Sequence, residues 1–166
     1  MNQWSASLPI CPKIILSLAT DADLDVRSFT IRESLSNLFS IHLRFLSSRS
    51  DIDFDAIVGR PASFTASRGD GTGSRVWTGV TSHVEQIEVE DPGLSTYQVT
   101  LVPKLWLLSQ RRNYRMFQQA SEPEIVLELL REWGIEPLVE LDLGTYKRRK
   151  YRVQYGESDF AFFSRM

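Results

Sequence analysis

The chain is poor in the residues from which catalytic and metal centres are built. Its one cysteine, Cys11, has no internal partner, so a disulfide framework is excluded and the thiol reads as a small buried hydrophobe. The two histidines, His42 and His83, stand far apart, and one Cys with two distant His cannot close a tetrahedral zinc site. Nucleophilic catalysis needs a base beside a serine or cysteine. Neither histidine neighbours Cys11, and the Gly-x-Ser-x-Gly elbow is missing. Acidic residues are scattered, with no pair placed by the sequence for glycoside chemistry. No catalytic, cofactor-binding or metal-ligating residue is therefore assigned, no cofactor is expected, and the chain is not expected to be an enzyme.

Long apolar runs are missing too. Nothing approaches the roughly 18–20 residues that span a bilayer, so stable membrane insertion is not expected. Met1 to Pro12 lacks a basic start, and Pro9 and Pro12 break its short apolar run, unlike a secretory signal. Synthesis and folding in the cytoplasm follow. Net charge is only −2, which supplies no global field toward nucleic acid. Lys147-Arg-Arg-Lys150, flanked by Tyr146 and Tyr151, could pair with phosphates and stack on bases. As one short patch on an acidic chain, it reads better as a solvated strand edge that discourages edge-to-edge association. Gly69-Asp-Gly-Thr-Gly73 lacks the Gly-Lys-Ser/Thr ending of a phosphate loop and joins two strand patterns, so it reads as a hairpin turn. Asp51-Ile-Asp-Phe-Asp55 opens like a calcium loop, but Ala56 and Ala62 stand where that loop needs glycine and glutamate. It reads as a solvated bend with Ile52 and Phe54 as apolar anchors.

What is present is a core's worth of hydrophobic residues, 42% of the chain, in two rhythms. Up to about Pro103 the rhythm is β. Lys13 to Leu18 is apolar and β-branched. Phe29 and Ile31 alternate with Thr30 and Arg32, and Ile41, Leu43 and Phe45 alternate with His42 and Arg44. Pro61 to Arg68 is a further strand. Arg75 to Val89 is long, with Val76, Thr78, Val80, Ser82 and Val84 expected on one side, and Asp91-Pro-Gly93 turns the chain into Thr96 to Val102. Short turns between successive strands favour a small barrel or sandwich, and a barrel removes exposed edges.

From Lys104 the character changes. Leu105 to Leu108 and Arg111 to Arg115 read as a connector. Ser121-Glu-Pro-Glu124 is a capping box that opens a helix to Trp133, with Ile125, Val126, Leu129, Leu130 and Trp133 on one face and Gly134 as the stop. Val153 and Tyr155 alternate with Arg152 and Gln154 as a half-buried strand. Ser158 then caps a helix whose apolar face is Phe160, Phe163 and Met166, with Asp159 in its first turn. The fold class is mainly β with some α (α+β): a β-barrel domain over 1–105, then a partial α+β domain over 106–166.

Gln154-Tyr-Gly-Glu-Ser-Asp-Phe160 with Phe163-Ser-Arg165 resembles a signature of the VgrG family, the spike proteins of type VI secretion, whose module also occurs in contractile phage-tail hubs. Further blocks agree in order: Arg32-Glu-Ser-Leu-Ser36, Gly59-Arg-Pro-Ala62, Gly79-Val-Thr81, Leu101-Val-Pro103 with Leu105-Trp-Leu-Leu108, Arg115-Met-Phe-Gln118, and Pro123 to Gly134. The likeness runs from about Val26 to Met166. Lys104 departs from a common aromatic, Asn113 and Tyr114 replace a shorter polar pair, and the family's region beyond Met166 is missing, so truncation is expected. The resemblance implies a spike or baseplate-hub structural part. The full-length form would be a homotrimer whose base docks on a hexameric Hcp tube, with exported effectors and baseplate proteins as further partners. It would be exported by the type VI apparatus without a signal peptide. A rival reading is a small β-barrel binding module for peptide, sugar or single-stranded nucleic acid; an esterase-like enzyme is the third.

Overall fold

The computed structural model describes residues 13–68, 73–90 and 93–166, with Glu90 described by its backbone alone. The chain divides into two compact units, Met1–Pro103 and Lys104–Met166. The first holds β1 (Lys13–Ser17), β2 (Asp25–Arg32), β3 (Ser40–Ser47), β4 (Pro61–Ser67), β5 (Ser74–Glu90) and β6 (Leu94–Val102). They form one antiparallel sheet in the order β1-β4-β5-β6-β3-β2.

The alternation in β3 sets the core. Ile41, Leu43 and Phe45 are buried, and opposite them on β6 lie Leu101, Val99 and Tyr97, all with no exposed surface. Phe45 and Tyr97 stack at 5.3 Å, and the Tyr97 hydroxyl donates to the Arg49 carbonyl at 2.7 Å, which satisfies its polar end inside the core. The sheet curls. Three strands separate β2 from β4 in the sheet order, yet the Phe29 and Phe64 rings meet at 5.0 Å. Just past β2, Glu33 reaches β5 and accepts from Trp77 Nε1 at 2.9 Å and from Arg75 at 2.6 Å. The curl is the one expected, but among the described residues no ladder joins β1 to β2, so the sheet is an open half-barrel rather than a closed one.

Strand β5 departs from simple alternation. Trp77 faces the core beside Phe64, while Val76, expected inward, is 56% exposed. The bulge between Thr81 and His83 shifts the phase, so Trp77 and Thr81 before it and Val84 after it are all buried, and a second bulge follows between Gln86 and Glu88. Both turns around this strand, over 69–72 and 91–92, lie outside the described residues, as do Met1–Pro12 and Cys11. Asp51 to Asp55 does form a bend: Asp53 accepts from the backbone N–H groups of Asp55 and Ala56, and Ile52 and Phe54 pack on the core.

Gly79 explains one of the sequence blocks. A Cβ there would lie 1.9 Å from the Val102 carbonyl oxygen, a backbone atom with no room to retreat. We expect Gly79→Ala to destabilise the first unit by about 3 kcal/mol, at or above the upper end of ordinary overpacking. An urea melt of the variant checks this; an unchanged midpoint would mean the strands part at no cost.

The second unit opens with a 3-10 helix, Lys104–Gln110, which buries Leu108. Then come β7 (Arg112–Ala120), α1 (Glu122–Glu132), a short 3-10 turn (Leu143–Thr145), β8 (Arg149–Ser158) and α2 (Asp159–Arg165). The capping box of α1 forms, with the Glu124 carboxylate accepting from the Ser121 N–H at 2.8 Å and its hydroxyl at 3.1 Å. Gly134, at φ +61, ends the helix as expected.

Three expectations fail here. Arg112 to Arg115 is not connector but the start of β7, which pairs antiparallel with β8. In β8 the period is right and the phase inverted: Gln154 is fully buried, whereas Val153 and Tyr155 are 39% and 78% exposed. In α2 the fully buried ring is Phe162, stacked on Phe117 at 5.6 Å, while Phe163 and Met166 only border the cluster of Phe117, Ile125, Leu129 and Phe162. The inverted phase of β8 traces to a polar group that holds the inner face of the ribbon.

Candidate functional site

That group is centred on Asp159, whose side chain has no exposed surface. The β8-to-α2 junction places it inward, because Ser158 caps α2 by accepting from the Ala161 N–H at 3.1 Å. Asp159 Oδ2 accepts from Arg111 Nε at 2.7 Å and Trp133 Nε1 at 3.1 Å, and Oδ1 accepts from Gln154 Nε2 at 2.8 Å. The Asp159 N–H donates to the Arg111 carbonyl at 2.9 Å. One carboxylate thus ties the β7 approach, the end of α1, β8 and α2 together.

Around it the charges alternate. Arg111 also bonds Glu132, and Arg115 bonds Glu132 at 2.7 Å and Glu128 at 3.0 Å. Glu157 and Arg165 pair at 2.5 Å, and Arg165 also donates to the Val153 carbonyl at 2.7 Å. Burial pushes the Asp159 carboxyl upward, but hydrogen bonds from Gln154, Trp133 and Arg111 outweigh it and hold its pKa below the ordinary 3.8. Glu132 behaves alike, with burial raising it and Arg115 and Arg111 lowering it to below its ordinary 4.5. These carboxylates are held ionised as acceptors. A general acid would need the opposite shift.

The signature residues are spent on this clasp. Gln154 and Asp159 are its buried members, Ser158 is a cap, Glu157 anchors Arg165, and Gly156 takes φ +63, with the Tyr114 hydroxyl where a Cβ would crowd it. Sequence reading saw Asp159 as a helix-dipole residue and missed the clasp, although an acid, a glutamine and an arginine beside apolar neighbours was the available signal.

The other residues singled out are not brought together. His42 Nδ1 lies 3.1 Å from the Thr100 hydroxyl, and His83 lies 3.6 Å from Glu85 on an exposed stretch. In the basic run, Arg148 bonds Glu124 and Arg149 bonds Glu122 at 3.2 Å, joined there by Arg152. Two of the four cations are therefore engaged by the acidic first turn of α1, which weakens the phosphate reading. Among the described residues no three His, Cys, Asp or Glu side chains are grouped to hold a metal, and no helix is long and apolar enough to cross a membrane.

The remaining candidate is a surface. Register pairs Tyr114 with Tyr155, Met116 with Val153 and Gln118 with Tyr151, so these six share the outer face of the β7–β8 ribbon. Tyr114 is 72% exposed, and Met116 and Tyr151 are 59% exposed. Tyr114 and Tyr155 meet edge to face at 5.1 Å. Nothing else among the described residues of this unit covers them. A face of this kind binds by shape and apolar contact.

The profile of the phage tail baseplate hub (GPD) family matches residues 32–166. A type VI secretion system spike protein, VgrG4b of Pseudomonas aeruginosa, is 37% identical over 150 residues, which is 87% of this chain and 18% of that one. The chain thus spans about a fifth of the length of the curated relatives it matches. Among solved structures, the E. coli c3393 protein aligns with TM-score 0.76 and 26% identity over 92% of this chain and 42% of that one. It is described as a component of the type VI secretion system with structural similarity to the T4 bacteriophage tail proteins gp27 and gp5. A 43 kDa tail protein of prophage MuSo2 from Shewanella oneidensis shares the fold at TM-score 0.58 and 18% identity, over 92% of this chain and 48% of that one.

Proposed function

This chain belongs to the phage tail baseplate hub family, and we propose that it is a structural part of a type VI secretion spike, contributing to the trimeric base that docks on the hexameric Hcp tube. The observation that carries the reading is the hub-family match over 32–166, reinforced by a signature whose residues are engaged in holding the fold. Residues 1–105 form the curled half-barrel domain in this reading and 106–166 an α+β domain. In this reading the chain works by shape, with no catalytic, cofactor or metal residue assigned to it and no nucleic acid or membrane as partner, and it travels through the type VI apparatus with effectors and baseplate proteins as further partners.

The test is co-sedimentation of the chain with assembled tube protein, alongside sedimentation of a chain extended to the length of its relatives. Pelleting with the tube and discrete trimers of the extended chain are expected. A monomeric extended chain that stays in the supernatant would overturn the reading.

A further inference from the structure

Between α1 and the 3-10 turn at Leu143–Thr145, residues 135–142 form a strap with no helix, strand or turn. Gly134 has ended the helix, Pro137 has no N–H to give, and the Asp142 side chain opens the next turn by accepting from the Gly144 N–H at 3.1 Å. From Glu136 to Leu141 no backbone N–H or carbonyl finds a backbone partner among the described residues. Such groups are left to water or to an added strand.

The side chains favour the strand. Leu138 is 88% exposed, and Val139 and Leu141 are exposed beside it. The strap borders a groove of about 330 Å3, walled also by Val126, Leu127 and Leu130 of α1 and by Phe163 of α2. Every residue lining the groove is apolar except Glu140. The five glutamates of this unit outside the strap each pair with an arginine. Glu136 and Glu140 have no such pair among the described residues. The groove is therefore apolar, bordered by unpaired backbone, and marked by one uncompensated negative charge.

We propose that it takes an extended segment of a partner protein, whose backbone pairs with the strap, whose apolar side chains fill the groove, and whose lysine or arginine meets Glu140. Backbone pairing supplies affinity in this mode of recognition, and pockets for alternate side chains supply specificity. The inference goes beyond the hub reading and does not rest on it.

The test is a titration of the isotope-labelled 166-residue chain with a short synthetic peptide of alternating valine and lysine, followed by nuclear magnetic resonance. The amides of 138–141 and the methyl groups of Val126, Leu127 and Leu130 should shift together, and alternate strap amides should exchange more slowly with solvent. A peptide with glutamate in place of lysine should bind about fivefold more weakly, and Glu140→Lys should reverse that preference. A peptide with serine in place of valine should move none of these resonances. A valine–lysine peptide that leaves them in place overturns the proposal, as does binding that ignores the charge at position 140. Strap resonances that shift on dilution without peptide would give the groove to a second copy and overturn it. Slow strap exchange in the dilute, peptide-free chain would give it to a segment of the same chain, and overturn it too.

Discussion

Leu43→Asp should leave the first unit unable to fold, while His42→Ser, one residue away, should be nearly silent. Leu43 is 1% exposed in the middle of the sheet, opposite Phe29 on β2 and Val99 on β6. Removing its side chain forfeits roughly 1.5–3 kcal/mol of burial. The aspartate that replaces it meets only apolar neighbours, so it must protonate or drag water inward, at a further cost of several kcal/mol. Together these approach the whole stability of an ordinary domain, about 5–15 kcal/mol. His42 faces outward and touches Thr100, so its loss removes about one hydrogen bond's worth, near 1 kcal/mol. Circular dichroism and urea melts of both variants decide it. Equal tolerance would mean the face of β3 is assigned the wrong way round.

The contrast between β3 and β8 shows what was legible in the residues and what was not. In β3 the apolar side chains are the buried ones, because the sheet packs on itself through Tyr97, Val99 and Leu101. Alternation there predicts both period and phase. In β8 the same alternation predicts period alone. Gln154 goes inward because Asp159 and the Glu157 carbonyl accept from its amide nitrogen, which offsets its burial although its Oε1 finds no partner among the described residues. Polarity patterns cannot see a partner that arrives from the next helix. The α1 helix was readable from its capping box and Gly134, which are local signals. The curl of the sheet was readable as a tendency, but its open side depends on β1 and β2 forming no ladder among the described residues, a long-range outcome. Simple alternation puts Val76 on the face of Val84, but the bulge between Thr81 and His83 puts Trp77 there instead, and a bulge is not written in hydrophobicity.

The clasp yields the sharpest pH-dependent expectation. Asp159→Ala should destabilise the second unit by about 3 kcal/mol, because it removes a buried acceptor and orphans donors on Arg111, Trp133 and Gln154. Arg111 is 37% exposed and can turn to water, which keeps the cost below that of a fully enclosed pair. The sign of the acid effect follows from the depressed pKa values. Asp159 and Glu132 titrate below 3.8 and 4.5 when folded, so their stabilisation is complete above those values and is lost as pH falls through the folded ones. The unsubstituted protein should therefore loosen its second unit in acid, below about pH 4. Asp159→Ala should start lower and show a shallower acid slope, since one of the titrating groups is gone. The Trp133 indole N–H resonance, which reports the bond to Asp159 directly, should shift on acidification in step with the melt. An alanine variant with the original midpoint and acid slope would show that the signature residues hold nothing, and that their presence needs an explanation outside the fold.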